Sequence, residues 1–177
     1  MSEDAPTIRP ATADDAAACL AIYAPIVRDT SISFELEPPS VEEFAGRIAQ
    51  ARERHEWLVA ERDGQVTGYA YANTFRARAA YRFACESSVY VADTERGRRT
   101  GERLMQELIV RLRALGFAQV IAGATLPNRA SEALHERLGF RAVGRFDGVG
   151  HKFGAWHAVG FWQLDLTAPT VDDDGAT

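Results

Sequence analysis

The stretch YVADTERGRRTGERLM, Tyr90–Met105, carries two glycines and four arginines between a β-prone run and a helical period. A loop that leads from a strand into a helix is a good anion site, because free backbone N–H groups converge there and the helix dipole favours negative charge. Glycines let a phosphate approach the backbone closely. On the loop alone, a phosphate cradle and a solvated basic turn both remain open.

Two familiar nucleotide loops are excluded, since the chain has neither G-x-x-x-x-G-K-[ST] nor a G-x-G-x-x-G that opens a helix. The net charge of -5 and the pI of about 5.4 argue against a nucleic-acid-binding protein, whose surface is broadly basic. The arginines of the loop are therefore a local feature of a mildly acidic chain.

The 177 residues suit one domain, which we expect over residues 1–167, with residues 168–177 forming a disordered acidic tail. Cys19 and Cys85 lie far apart and suggest neither a disulfide framework nor a zinc site. No apolar run approaches the length of a membrane helix, and the N-terminus does not resemble a signal peptide. We therefore expect a cytoplasmic protein that binds neither membranes nor nucleic acid.

Several local patterns predict the first elements. After a short strand, a helix is expected from Thr12, its N-cap, to the residue before Pro25. Ser40 and Glu43 predict a capping box at the start of a second helix. Asp63-Gly64 between two β-prone runs predicts a tight hairpin.

The second half alternates strands and helices. The run ACESSVYVAD predicts a strand with Val89 and Val91 on one face and Glu86, Ser88 and Tyr90 on the other. A helix is expected over Thr100–Leu115, with Leu104, Leu108, Leu112 and Leu115 as its apolar stripe. A strand, a helix capped by Asn128 and two further strands follow. The fold class is mixed α+β, with helices on both faces of the sheet.

The strand–RGRRTG–helix unit, followed by NRASEALHERLGF, resembles the GNAT superfamily of acyl-CoA-dependent N-acyltransferases. The resemblance implies a mostly antiparallel twisted sheet of six to seven strands and a loop that binds the pyrophosphate of acetyl-CoA. The residues it implies for acetyl-CoA are Val89, Tyr90, Val91, Arg96, Gly97, Arg98, Arg99, Thr100, Gly101, Glu102, Asn128 and Ser131. Arg99 replaces the glycine usual in this loop, so we expect a backbone conformation there that any residue can adopt.

Four blocks narrow the resemblance to the phosphinothricin acetyltransferases, which are amino-acid N-acetyltransferases. They are WLVAERDGQVTGYAYA, ARAAYRFACESSVYV, LPNRASEALHERLGF and GHKFGAWHAVGFWQLDL, and the resemblance runs from Ile8 to Leu166. It implies direct acetyl transfer from acetyl-CoA to the α-amine of a small amino acid or analogue, such as phosphinothricin, methionine sulfone or methionine sulfoximine. It also implies a homodimer.

Acetyl transfer to an amine requires a base for the amine and benefits from a proton donor for the departing thiolate. Glu86 and His135, taken alone, are typical of a surface acid and of a packing histidine. The resemblance assigns Glu86 as the base and gives His135 a catalytic or sulfur-contacting role, with acid, hydrogen-bond donor and base partner all left open.

Acceptor recognition is predicted in two regions, TSISFELEPP and FRARAAYRF. Arg76 and Arg78 could pair with a carboxylate or phosphinate. Phe34, Tyr81 and Phe153 could form an apolar wall. His151 and His157 have no further ligands nearby in the sequence, and no metal site is expected.

Two alternatives remain open. The chain could be a GNAT enzyme that acts on another amine, such as a polyamine, an aminoglycoside or a protein N-terminus. It could also be an acyl-CoA-binding module without catalysis, which would keep the glycine loop but would not need Glu86 and His135 together.

Overall fold

The computed structural model describes residues 5–167. Short 3₁₀ turns join some of the elements. The strands are β1 (Thr7–Pro10), β2 (Trp57–Arg62), β3 (Gln65–Thr74), β4 (Ala84–Val91), β5 (Gln119–Leu126), β6 (Arg141–Lys152) and β7 (Ala155–Asp165). The helices are α1 (Ala16–Asp29), α2 (Val41–Arg52), α3 (Thr100–Ala114) and α4 (Arg129–Arg137).

The strands form one seven-stranded sheet in the order β1-β2-β3-β4-β5-β7-β6. Between residues 5 and 167, every neighbouring pair is antiparallel except β4 and β5, which run parallel. The helix α3 connects these two strands, as a parallel crossover requires. This confirms the predicted mostly antiparallel sheet of six to seven strands.

Helices cover both faces of the sheet. On one face, α1 and α2 bury an aromatic cluster that includes Tyr23, Phe44, Trp57 and Tyr69. On the other face, the leucines of α3 pack with residues of β2, β3, β5 and β7. The side chains of β4 alternate between the two clusters, and Val89 and Tyr90 contact opposite ones. The predicted two-sided α+β arrangement is confirmed.

Short-range signals placed several turns and caps correctly. Asp63 and Gly64 both have positive φ, as the tight β2–β3 hairpin requires. Ser40 caps α2 by accepting a hydrogen bond from the Glu43 N–H at 3.1 Å. The predicted capping box is only half formed, because the carboxylate of Glu43 pairs with Arg47, one turn further along the helix, and not with the N–H of Ser40.

Two expectations about helices were wrong. The first helix continues through Pro25 to Asp29. Cys19, Tyr23 and Val27 are buried one turn apart, and this burial outweighs the hydrogen bond that a proline cannot donate. Leu115 does not belong to the apolar stripe of α3. The helix ends at Ala114, and Leu115, its C-cap, is 52% exposed.

The predicted acidic tail, residues 168–177, lies outside the described residues, so the proposed domain limit stays a prediction. Each helix within residues 5–167 is too short or too polar to cross a bilayer.

Candidate active site

The strands β4 and β5 pair over only part of their length. Their parallel ladder begins at Ala84 and Gln119 and stops at Ser87 and Ala122, while β5 continues along β7 to Leu126. Ala92 donates its N–H to Thr67 in the direction of β3. Because backbone direction alternates along a strand, the N–H and C=O groups of Val89 and Val91 point toward the opening between β4 and β5. An extended chain with amide groups can bind there as an additional strand.

Tyr90 does not share this orientation. It lies directly opposite Tyr69 on β3, and its ring contacts those of Tyr23 and Tyr69 at centroid distances of 5.2 and 5.4 Å. The structure therefore does not bring Tyr90 to the opening, although Val89 and Val91 on either side of it do face the opening.

The loop RGRRTG leads from the end of β4 into α3. Gly97 has a φ of 77°, and Arg99, the N-cap of α3, has φ 60° and ψ 16°. The expectation that Arg99 has a conformation any residue can adopt is thus wrong. A left-handed backbone in a residue other than glycine costs about 1–2 kcal/mol, which the surrounding contacts must offset.

Glu95 makes the hydrogen bonds that hold this loop, and no local sequence pattern distinguishes it from the other charged residues there. It is 3% exposed and accepts hydrogen bonds from Arg62, at 3.1 Å to each carboxylate oxygen, and from the Thr100 hydroxyl. Burial raises the pKa of Glu95, but the bonds from Arg62 and Thr100 outweigh burial, and the pKa is lowered overall. A buried carboxylate thus fixes both ends of the loop.

A cavity of about 500 Å³ lies over the loop. The end of β4, the loop and the first turns of α3 and α4 line it, with Val91, Arg96, Gly97, Arg99, Gly101, Ala130 and Leu134 among the lining residues. At the start of α4, the Asn128 side chain accepts a hydrogen bond from the Ser131 N–H at 3.1 Å, which confirms the predicted cap. The cavity combines arginines, free helix N–H groups and an apolar wall. These features fit a ligand with phosphates at one end and an amide-bearing chain leading to the opening.

Glu86 lies on the face of the sheet covered by α1 and α2. It is directly opposite Asn73 on β3, and its carboxylate is 3.8 Å from the position that a Cβ would take on Gly123 of β5. The side chain is half-buried, and burial raises its pKa above the usual value of 4.5. Glu86 is therefore a carboxylate at the edge of the opening with an increased affinity for a proton.

His135 lies on the buried side of α4, which packs on the face of the sheet opposite to Glu86. The residue is 6% exposed, and its ring centroid is 5.2 Å from those of both Phe140 and Trp162. Burial lowers the pKa of His135 to about 4, so the ring is neutral at neutral pH. Its Nδ1 atom is buried and has no hydrogen-bond partner among the described residues. Unpaired buried polar atoms are rare in folded proteins, so this nitrogen marks His135 as a candidate functional residue.

The predicted acceptor residues fall into two neighbourhoods. Arg76 lies over the rings of Phe75 and Tyr81, and Arg78 is exposed one turn away. Phe34 contacts the β6–β7 hairpin near Gly150 and His157, and Phe153 is exposed at the tip of that hairpin. The structure thus places Tyr81 with the arginines, whereas Phe34 and Phe153 lie at the β6–β7 hairpin.

A cavity of about 580 Å³ connects the first neighbourhood with the face that carries Glu86. Arg76 lines it together with Ile121, the partner of Glu86 in the β4–β5 ladder, and Phe161 of β7. The Phe161 ring is 3.2 Å from the position of a Cβ on Gly123, and Glu86 is close to the same point. The sequence did not single out Phe161 or Gly123, since only the pairing of β5 with β7 brings them beside Glu86.

Within residues 5–167 there is no group of three or more His, Cys, Asp or Glu side chains that could hold a metal ion.

Comparison with known proteins agrees with this geometry. The family model described as "Acetyltransferase (GNAT) domain" matches residues 8–158. A phosphinothricin N-acetyltransferase from Streptomyces viridochromogenes is 41% identical over 162 residues, which cover 92% of this chain and 88% of that protein. An L-methionine sulfoximine/L-methionine sulfone acetyltransferase from Pseudomonas paraeruginosa is 39% identical over 90% of this chain and 94% of its own length.

Among solved structures, a phosphinothricin acetyltransferase from Sinorhizobium meliloti in complex with acetyl-CoA is 38% identical. It superposes with a TM-score of 0.88, and the match covers 95% of each chain.

Proposed function

This chain belongs to the GNAT acetyltransferase family and takes its acetyl group from acetyl-CoA, and on that premise we propose that it acetylates the α-amine of a small amino acid or amino-acid analogue. Phosphinothricin, methionine sulfone and methionine sulfoximine are the acceptors named for its relatives. The observation that carries the proposal is the opening between β4 and β5, with the loop cavity at one end and Glu86 and His135 on opposite faces beside it.

Acetyl-CoA supplies an activated acetyl group and a thiol leaving group. The arginines and free N–H groups around Gly97 and Gly101 would bind its phosphates, and the backbone of Val89 and Val91 would bind its amide groups. Asn128 and Ser131 would border it from the start of α4. The parting of the two strands supports this path, because it leaves backbone groups available without breaking the sheet.

Glu86 would take the proton of the acceptor amine, directly or through a water molecule. An ammonium group cannot attack, so a base near the opening increases the fraction of reactive amine. Burial raises the pKa of Glu86, which brings its proton affinity closer to that of the amine. Gly123 leaves room for the amine beside Glu86, because any side chain there would begin 3.8 Å from the Glu86 carboxylate.

His135 would act from the opposite face as a neutral hydrogen-bond donor to the sulfur. A pKa of about 4 leaves little imidazolium at neutral pH, which disfavours a charged acid at this position. A neutral ring still carries one N–H, and the partnerless Nδ1 shows that one ring nitrogen makes no bond to the described residues.

Direct transfer in a ternary complex is favoured over an acyl-enzyme. Both cysteines are free and fully buried, and burial raises the pKa of each thiol to about 12. A buried thiol at such a pKa is a poor nucleophile. Free cysteines are also typical of a reducing compartment, which supports a cytoplasmic location.

The acceptor would bind on the Glu86 face. Arg76 and Arg78 would pair with its carboxylate or phosphinate, since a guanidinium binds such groups with two parallel hydrogen bonds. Phe34 and Tyr81 would contact its side chain, and Phe153 would border the site from the hairpin. The cavity lined by Arg76 and Phe161 adds an apolar floor close to Glu86.

A homodimer is the proposed assembly. The β6–β7 hairpin exposes Val143, Phe146, Val149, Phe153 and Trp156, each at least 47% exposed, along an edge of the sheet. An apolar edge of this kind is typical of an interface between subunits. Sedimentation of the wild type should give a dimer, and Phe146→Lys with Trp156→Lys should give a monomer. A monomeric wild type at micromolar concentration would contradict the proposal.

Thiol release from acetyl-CoA, measured over amino acids, polyamines, aminoglycosides and a peptide N-terminus, tests the function. The proposal predicts release with methionine sulfone or phosphinothricin at a kcat/KM far above that with spermidine. Release only with polyamines or peptides would favour another GNAT activity. Binding of acetyl-CoA without release on any amine would favour a module without catalysis.

A further inference from the structure

Lys152, at the end of β6, is a buried lysine. The chain has 20 Lys and Arg residues, and Lys152 is the only lysine among them. It is 3% exposed, and its ammonium donates hydrogen bonds to the carbonyl oxygens of Val27 and Ser33, each at 2.7 Å. Lysine is almost never fully buried, because removing an ammonium from water is costly unless polar groups replace the water.

The two carbonyl groups explain why a compact cation fits here. Val27 lies in the last turn of α1, where the helix dipole is negative and unpaired carbonyls favour a cation. An ammonium is a small point charge whose N–H groups can rotate toward two converging oxygens. A guanidinium is planar, longer and fixed in its donor directions, so the arginine that the chain uses everywhere else would not reproduce these bonds.

The segment after α1, residues 30–35, contacts α1 through Ser33 and the hairpin through Phe34. We call it the Thr30–Glu35 loop. The hydroxyls of Tyr23 and Ser33 are 2.7 Å apart. The Phe34 ring occupies the place where a side chain on Gly150 would begin, so any other residue at position 150 would displace the ring. The Lys152 carbonyl in turn lies 3.0 Å from Nε2 of His157, whose ring stands 6.1 Å from that of Phe34.

The same loop borders the face of the sheet that carries Glu86. Glu35 pairs with Arg47 at 2.7 Å, and Arg47 lines a cavity with Tyr71 and with Asn73, the β3 residue directly opposite Glu86. Burial raises the pKa of Tyr71, and the charges of both Glu35 and Glu86 also raise it. The charges of the same two carboxylates also raise the pKa of the Tyr90 hydroxyl, which burial raises most. Glu35, the neighbour of Phe34, therefore lies close to the tyrosines beside Glu86.

We propose that Lys152 is a positioning residue for the acceptor: its ammonium joins the hairpin to the end of α1 and to Ser33, and thereby fixes Phe34 beside the acceptor site. The inference rests on the proposed function for the role of Phe34. Lys152 touches no reacting atom in this account. The Lys152 hydrogen bonds and the contacts of Phe34 with Gly150 and His157 together hold the hairpin and the Thr30–Glu35 loop against each other.

Kinetics of Lys152→Met and Lys152→Arg test the proposal. Both should raise the KM for methionine sulfone by about tenfold or more while leaving the KM for acetyl-CoA within about twofold, since the acetyl-CoA loop is held separately by Glu95. If Lys152→Arg raises the KM as Lys152→Met does, the positive charge alone is not sufficient and the compact ammonium geometry is required. A Lys152→Met/Phe34→Leu double variant should show less than the sum of the two free-energy changes, because both act through the Phe34 ring. Additive changes, or equal increases in both KM values, would overturn it.

Two measurements need no turnover. Amide hydrogen exchange should increase in residues 30–36 of Lys152→Met and stay unchanged in residues 96–101. In the wild type labelled with ¹⁵N-lysine, the single side-chain ammonium should exchange slowly with water, which is informative even if the variants do not fold. A rapidly exchanging ammonium, or exchange that increases uniformly along the variant, would contradict the proposal. If hydrogen exchange increases only in residues 30–36 but no amino acid is acetylated, the proposed function is wrong, whereas the structural link between the hairpin and the Thr30–Glu35 loop is supported.

Discussion

Glu86 and His135 lie on opposite faces of the sheet beside the point where β4 and β5 part. Glu86 projects toward the tyrosines under α1 and α2, and His135 contacts Phe140 and Trp162 under α4. Burial moves their pKa values in opposite directions, up for Glu86 and down to about 4 for His135, so both groups are shifted toward their neutral forms. A carboxylate on one face and a neutral imidazole on the other fit the proposed acyl transfer, in which the amine and the thiol occupy opposite sides of the opening.

Glu86→Gln should lower kcat/KM for the amino acid by about 10²–10⁴, because glutamine cannot accept the amine proton. The pKa of Glu86 is higher in the folded state than the unfolded value of 4.5. Ionisation of Glu86 therefore lowers the free energy of unfolding as pH rises from 4.5 through the folded-state pKa. The glutamine variant should therefore unfold at a higher urea concentration at pH 7. Initial rates and urea unfolding measure the two effects, with the exposed Glu53→Gln as control. Wild-type kinetics in Glu86→Gln across pH would remove the base from the mechanism.

His135 should make stability depend on pH. Its pKa is lowered in the folded state, so the unfolded chain binds more protons between pH 6.5 and about 4. Stability then falls on acidification, and the contribution of His135 to this fall between pH 7 and pH 5 is about 2 kcal/mol. His135→Gln should be less sensitive to pH by that amount in urea unfolding. An unchanged pH dependence would show that the ring is protonated without cost in the fold.

Arg99→Asn should weaken acetyl-CoA binding and reduce its dependence on salt. Asparagine tolerates the left-handed backbone at this position, so the substitution removes the charge and keeps the turn. A lost phosphate contact lowers both the affinity and the salt dependence. Calorimetric titration at two salt concentrations measures this, with Arg54→Asn as the matched exposed control. Unchanged affinity would mean that the backbone alone cradles the phosphates.

Glu95→Gln should destabilise the protein by about 2–4 kcal/mol, because it removes the buried charge that pairs with the partly buried Arg62 guanidinium. The folded-state pKa of Glu95 is lowered, so this stabilisation is present above pH 4.5 and is lost as pH falls below it. The variant should also bind acetyl-CoA more weakly, since Glu95 fixes the loop. Thermal unfolding measures the loss of stability and calorimetric titration measures the acetyl-CoA affinity. Asp93→Asn, at an exposed position, is the control. Equal effects in the two variants would contradict the anchoring role.

Features set by short-range chemistry could be predicted from the sequence. The Asp63-Gly64 hairpin, the Ser40 and Asn128 caps and the alternation along β4 depend on residues within one turn or one strand of each other. The family motifs added the mostly antiparallel sheet of six to seven strands and the position of the loop. Glu86 and His135 were candidates because of those motifs, and their burial became visible only in the structure.

Features set by distant contacts could not be predicted. Arg99 adopts a left-handed backbone in a loop that Arg62, from another strand, holds through Glu95. The helix α1 continues past Pro25 because Val27 is buried against the sheet. Lys152 binds carbonyl groups more than a hundred residues away in the chain. No local pattern distinguishes these side chains from exposed ones of the same type.

The most direct test is a competition between methionine sulfone and spermidine, present together at equal concentration with acetyl-CoA and analysed by mass spectrometry. The ratio of products gives the ratio of the two kcat/KM values. We expect N-acetyl-methionine sulfone as the main product with the wild type and its loss with Glu86→Gln. Acetylated spermidine as the main product, or an undiminished yield from Glu86→Gln, would contradict it.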